Sequence, residues 1–231
     1  MACRTARHFW WNMEILYKSK NFVIINKPVG IPSQSDISGD DDALSLTSKY
    51  LLENEDDGNL FLVHRLDRVV GGVIAFARNK RAASALSDII SSDGFVKEYV
   101  AVTEGIANGG ALIDYLYKDT RLSRAVVVDK KRMGAKYAEL SYEPLEKNDR
   151  HTLVKVRLST GRFHQIRAQF SSRSLPLVGD KKYGSRDARA HAPALFSARL
   201  SFDCLGECID VTALPDVATY PWCEFNFSEG K

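Results

Sequence analysis

The chain has 231 residues, 45% of them hydrophobic and 26% charged, the balance of a soluble globular protein long enough to bury one large or two small cores. No apolar run approaches the ~18 to 20 residues of a membrane span, and the opening "MACRTARHFWWNMEIL" lacks the apolar core and cleavage site of a signal peptide, so a cytoplasmic protein is expected. The formal net charge of +3 hides a segregation: residues 121–190 hold 17 Lys and Arg against 7 Asp and Glu, whereas residues 36–57 hold eight acids against Lys49.

Cys3, Cys204, Cys208 and Cys223 are too few for the disulfide framework of a small secreted domain, and C-x3-C in "DCLGEC" lacks the short paired spacing of a zinc ribbon. Buried or spare thiols are expected.

Residues 1–13 read as a short arm, and 14–231 as a single catalytic domain. Two short β-type groups, Ile15 to Tyr17 and Phe22 to Ile25, flank the turn "KSKN", and Pro28, Gly30 and Pro32 then stop regular structure. The acidic segment leads into a helix around Leu44 to Leu52, with Asp40 to Asp42 at its positive end. "LFLV" and "GVIAFA" read as strands joined by the polar turn "HRLDRVVG". A helix follows, with Asn79 as N-cap and Ala82, Leu86 and Ile89 on one face.

"FVKEYVAVTEG" alternates as a strand with Tyr99 and Val100 on opposite faces; "KYAELSYEPLE" and "HTLVKVRLST" alternate as neighbouring antiparallel strands. From Gly161 the period changes to helical, placing Phe163, Ile166 and Phe170 on one face, Arg167 at its edge, and Arg162, Gln165 and Gln169 elsewhere. A loop rich in Gly, Pro and charge precedes "LFSARLSF" and "ECIDVTALP", which close the sheet.

Familiar cofactor signatures fail on spacing. "GDKKYG" lacks the Gly-Lys-Ser/Thr of a phosphate-cradling loop, and "VVGG" opens a strand rather than the helix of a dinucleotide site. His8, His64, His151, His164 and His191 show no H-x3-H pair. Neither a nucleotide cofactor nor a metal is expected.

Four segments remain: "HRLD" at 64–67, "KEYVAV" at 97–102, "GRFHQIR" at 161–167 and "PLVGDKKYG" at 176–184. Together and in this order they resemble the RluA/RsuA superfamily of pseudouridine synthases, and more closely its RluA branch. The resemblance runs from "INKPVG" at 25 to about "LFSARLSF" at 195–202. It implies an α+β fold: a mixed, mainly antiparallel β-sheet with helices and loops flanking a central active-site cleft. In two respects the chain departs from the pattern. Val69, Val70 and Gly71 follow Arg68 where the family often has Thr-Ser-Gly, and only about 13 residues precede "EILYKSK", so no separate N-terminal RNA-binding domain is expected.

The implied reaction isomerises uridine in RNA, ribosomal or transfer RNA being the expected partner, and consumes no cofactor. By the resemblance Asp67 is the catalytic carboxylate, Arg167 the cation that keeps it ionised, and Tyr99 the ring that stacks on the target base. Arg65 would fill the gap left by a flipped nucleotide or hold phosphates. His64 and Arg68 either stabilise the turn or contact phosphate. Arg162, His164, Lys181 and Lys182 join the RNA-facing set, and a monomer suffices.

On residues alone the bland readings are a core Tyr99, an Arg167 paired with some surface acid, and lysines that are solvated surface. Two other functions compete: an RNA-binding module of the same fold without catalysis, and a hydrolase in which Asp67 with His64 or His164 activates water.

Overall fold

The computed structural model describes residues 14–35, 38–92 and 94–227. The arm and Cys3 lie outside them. The chain divides into two compact units, one of residues up to Val96 with Ser197–Ala213, the other of Lys97–Phe196 with the residues from Leu214 onward. Among the described residues no helix is long and apolar enough to cross a membrane.

The first unit is an antiparallel sheet of β1 (Glu14–Lys18), β2 (Phe22–Lys27), β4 (Gly71–Ala77) and β10 (Leu195–Cys204, whose first two residues belong to the second unit), in that order. Two strands lie off this path: β3 (Phe61–Leu62) pairs with β4, and β11 (Glu207–Thr212) with β10. Every residue of β4 is buried, as are Phe22 to Ile25 of β2, so both strands read as continuous apolar runs instead of alternating.

On one face, helix α2 (Lys80–Ile90) sets Ala82 and Leu86 against Phe22, Val73, Ala75 and Phe202. Its start is the expected one, Asn79 accepting a hydrogen bond from the Ala82 amide at 2.8 Å. Helix α1 (Ala43–Glu53) starts at Asp42, which accepts from the Ser45 amide at 2.9 Å. Of the acidic run, Asp42 therefore caps the helix.

The second unit is also antiparallel, in the order β5 (Val96–Glu104), β9 (His151–Leu158), β8 (Lys136–Lys147), β6 (Gly110–Asp119) and β7 (Arg124–Val128). The expected pairing of "KYAELSYEPLE" with "HTLVKVRLST" is β8 with β9. β5 departs from the alternating pattern: Tyr99 and Val100 are both buried, as are Ala101 to Thr103, because the strand is covered on both faces.

Helix α3 (Gln165–Ser171) also departs from expectation. It is buried all round, Gln165 and Gln169 included, instead of showing one apolar face. Backbone carbonyls meet the amide nitrogens, Gln165 Nε2 donating to Glu139 O and Gln169 Nε2 to Leu112 O, each at 3.0 Å, while Gln169 Oε1 is buried without a hydrogen-bond partner.

The Gly pair after the Asp67 turn has a steric cause. Gly72 sits at φ +112°, and a Cβ there would lie 2.2 Å from Ser197 O and 2.7 Å from Ser197 N, both backbone atoms of β10. Only glycine lets β10 approach β4 so closely. Gly72→Ala is therefore expected to cost ~3 kcal/mol or more in overpacking and positive-φ strain, lowering the melting midpoint by ~6 to 12 °C. Gly30→Ala is the control: φ is +93° there but nothing lies within 4 Å, so strain alone acts. Equal midpoints for the two variants would contradict the close approach.

Candidate active site

In the first unit, Asp67 stands on the loop between β3 and β4, and this loop is clamped although it has no regular structure. The Ser33 hydroxyl donates to Leu66 O at 2.8 Å while accepting from Leu66 N at 2.9 Å. Gly30 N donates to Arg68 O at 2.8 Å, and Val70 N to Asp67 O at 3.0 Å, closing the turn. The segment "KPVGIPS" is thus the mould in which the aspartate loop is cast.

His64 faces inward: its Nε2 accepts from Ala75 N at 3.0 Å, and its ring packs edge-on against Phe95 with centroids 5.3 Å apart. Arg68 donates to Asp40 and to Ser38, each at 2.6 Å, which ties the loop to the acidic segment. Arg65 is exposed.

Beneath the loop lies a group that patterning did not single out. Lys27, the last residue of β2, is fully buried, and its amine donates to Pro28 O at 2.9 Å and Ile31 O at 2.6 Å. Burial pushes its pKa down from 10.5 to about 7; the Asp67 carboxylate opposes that shift and Arg68 adds to it. The signal in the sequence is a single cation ending an apolar strand just before proline, in "FVIINKP".

In the second unit, Arg167 projects from α3 and is almost wholly buried. Its Nε and Nη2 fork onto the two oxygens of buried Asp180 at 2.7 and 2.8 Å, and its guanidinium lies 5.0 Å from the ring centroid of Tyr183. The bland reading of an arginine paired with a surface acid is therefore corrected: this acid is interior, and it is the Asp of "PLVGDKKYG". Sequence reasoning missed both Asp180 and Tyr183.

The Tyr183 hydroxyl accepts from Ala125 N at 2.6 Å and meets His164 Nδ1 at 3.0 Å. His164 itself adopts the left-handed conformation, φ +51°, with its ring stacked on Phe163 at 3.8 Å. Gln165 Oε1 accepts from Thr160 Oγ1 at 2.8 Å and Arg162 N at 2.9 Å, which fixes the entry to the helix. The segment "GRFHQIR" is thus a self-bracing turn that aims Arg167.

Tyr99 is buried on β5 opposite Val156. Arg162 is exposed and its Nε donates to Tyr137 O at 2.7 Å; Lys181 and Lys182 are exposed on the short helical turn 181–183, with Lys182 Nζ donating to Ser123 O at 3.1 Å. The expected site residues thus form two groups. His64, Arg65, Asp67 and Arg68 share one loop of the first unit; the second holds Tyr99 on β5, His164 and Arg167 against the Tyr183 ring, Lys181 and Lys182 next to Tyr183 in sequence, and Arg162 at the start of the α3 turn.

Among the described residues no three metal-ligating side chains cluster. Cys204, Cys208 and Cys223 are free thiols, Cys204 buried.

A model of the family described as RNA pseudouridylate synthase matches residues 21–172. The chain belongs to this family. The match takes in the Lys27 mould, the Asp67 loop and the Arg167 helix, while the Asp180 loop lies beyond its end. A ribosomal large subunit pseudouridine synthase C of Rickettsia felis is 31% identical over 185 residues, covering 79% of this chain and 59% of that protein. The chain thus spans about three fifths of that relative's length. A tRNA pseudouridine synthase C of Haemophilus ducreyi is 31% identical over 189 residues, 74% of each chain. Among solved structures, human RNA pseudouridylate synthase domain containing 1 superposes with a TM-score of 0.75 at 21% identity, over 96% of this chain and 89% of that one, which shows the α+β pseudouridine synthase fold.

The buried amine makes a prediction about pH. Between pH ~7 and 10.5 the unfolded family member carries a proton on Lys27 that the folded one has released, so stability from this group rises with pH across that window. Below pH ~7 both states are charged and the folded state bears the full desolvation cost. Melting wild type and Lys27→Met at pH 6.5 and 9.5 should show the difference moving in favour of wild type at the higher pH, by on the order of 3 kcal/mol. A difference independent of pH would mean the amine is not desolvated.

Proposed function

We propose that this chain isomerises uridine in RNA to pseudouridine, with the carboxylate of Asp67 as the reacting group. The observation that carries the reading is the family match over residues 21–172, which contains both the clamped aspartate loop and the braced Arg167 turn. The curated relatives named for ribosomal and transfer RNA suggest those two classes of substrate.

In the proposed mechanism the bond between N1 of uracil and C1′ of ribose breaks while Asp67 either attacks C1′, giving an ester, or takes the proton from C2′, giving a glycal. The detached uracil carries the electron pair of the broken bond. It turns within its pocket and C5 bonds to C1′ as the ester C–O bond breaks and frees the Asp67 carboxylate, or as Asp67 returns its proton to C2′ of the glycal; the C5 hydrogen then leaves as a proton and N1 takes one up. The sequence is redox-neutral and needs no other reactant.

Asp67 must remain ionised where water is scarce, and a neighbouring cation opposes the rise in pKa that desolvation brings. We assign that role to Arg167, whose own orientation Asp180 fixes. Tyr99 is the proposed ring against which uracil stacks, a contact worth ~1 to 3 kcal/mol that tolerates turning of the base. Arg65, exposed on the aspartate loop, is proposed to hold the RNA around the flipped nucleotide, with Arg162, Lys181 and Lys182 on phosphates. The structural bonds of His64 and Arg68 favour positioning of the loop as their role. A monomer acting in the cytoplasm completes the proposal.

Asp67→Asn, nearly isosteric but uncharged, is expected to abolish isomerisation while RNA affinity changes less than about tenfold, ~1.4 kcal/mol. RNA tritiated at uracil C5 should release one tritium to water per uridine converted, and the variant should release none. Tritium kept at C5 while free uracil appears would favour a hydrolase. RNA binding without either event would leave only a binding module.

A further inference from the structure

The hairpin β6–β7 and the loop 129–135 leading into β8 form a feature that the catalytic proposal does not use. Residues 117–136 carry seven Lys and Arg against Asp119 and Asp129. Both aspartates are committed to turns: Asp119 accepts from Arg121 N and Leu122 N at 3.0 and 3.1 Å, and Asp129 from Lys131 N at 2.9 Å. Among the described residues none of the seven cations forms an ion pair, and Nε of Arg124 is buried without a hydrogen-bond partner. Among the described residues, Arg68, Arg78, Arg167, Arg173, Arg189 and Arg199 have carboxylates, whereas Arg65, Arg81, Arg157, Arg162 and Arg186 share the hairpin's lack of an ion pair.

The two faces of this sheet differ. On the inner face Leu116, Ala125 and Ala138 are buried against Ala168 and Tyr183. On the outer face stand Tyr115, Tyr117 and Tyr137. The first two lie two residues apart on β6, about 7 Å along the strand; Tyr115 pairs across the sheet with Tyr137, their centroids 5.9 Å apart. The rings meet cations, Arg132 lying 3.9 Å from the centroid of Tyr117 and Lys130 5.7 Å from that of Tyr115. Such contacts on an exposed face are weak.

We propose that this outer face is a platform for single-stranded RNA, with non-target bases stacking on Tyr115, Tyr117 and Tyr137 and phosphates taken by Lys130, Lys131 and Arg132. Every base has a π-face, so an open strand uses rings and cations together; a duplex hides its base faces and leaves the rings idle, and an acidic peptide uses only the cations. On binding, Arg132 and Lys130 move from ring to phosphate, and each ring passes to a base. The proposal rests on the RNA reading above but not on catalysis, since no uridine is required.

The test uses the full chain and a labelled oligocytidylate decamer, which has no uridine, followed by fluorescence anisotropy. The double variant Tyr117→Leu/Tyr137→Leu should bind about tenfold or more weakly than wild type, whereas Tyr117→Phe/Tyr137→Phe should bind like it, because the ring and not the hydroxyl stacks. Lys130→Gln/Arg132→Gln should lower the log–log salt slope by about 1.4, two phosphates' worth. Wild-type affinity in the leucine variant, or a duplex of the same strand binding as tightly, would overturn the platform. Should the leucine variant fail to fold, photo-crosslinks of wild type to the decamer must map to residues 115, 117 or 137, and crosslinks found only elsewhere overturn it. Tritium release from uridine-containing RNA is measured apart, so a failed isomerase reading and a failed platform are told apart.

Discussion

The second unit depends on the fork between Arg167 and Asp180. Both side chains are nearly inaccessible, so two charges have left water and their attraction must offset a desolvation penalty of several kcal/mol per ion. The parallel hydrogen bonds of a guanidinium on a carboxylate meet that requirement; the single point charge of a lysine does so less well. The pair fixes α3 against the loop 176–184. Tyr183 then carries the constraint to Ala125 of β7 and to His164. One ion pair therefore sets the positions of a helix, a loop and a strand, and breaking it from one side would strand a buried charge.

The first unit holds its reactive loop by other means. A hydroxyl, two amides and a buried amine occupy the polar groups of two irregular segments. Lys27 is costly to bury, yet its amine satisfies Pro28 O and the interior Ile31 O. A loop clamped at this many points behaves as a rigid element, which is what the proposed role of Asp67 requires.

Much of this was legible in the chain. The strands around Asp67, both long helices with the Asn79 cap, and the β8–β9 pair follow from periodicity and capping residues, and the family from four motifs. The rest was hidden for specific reasons. α3 has an amphipathic period, but Gln165 and Gln169 are interior, where carbonyls from other strands meet their amide nitrogens, and no local pattern encodes those carbonyls. β6 and β7 were not signalled: "GALIDYLYKD" sets Asp114 and Lys118 among the inward positions of Leu116, so alternation is blurred. Asp180 resembles an ordinary loop acid until the fold brings Arg167 to it. Partners distant in sequence are what single-sequence patterning cannot supply.

The segregation of charge makes sense once partners are counted. In the acidic stretch, Asp40 engages Arg68, Asp42 caps α1, and Asp56 and Asp57 bind Arg78, with Asp56 also reaching Lys18. Those negative charges are spent within the first unit, and their field is largely cancelled at close range. The hairpin cations are not spent in this way. Like charges held together without counter-ions repel one another and destabilise a fold, a cost that the proposed binding of RNA would offset. A polyanion does so by releasing its condensed counter-ions as phosphates are neutralised. The modest net charge of the chain is therefore a poor guide to its electrostatics: four of the eight acids in this stretch are held by groups of the same unit, while among the described residues the hairpin cations have no carboxylate.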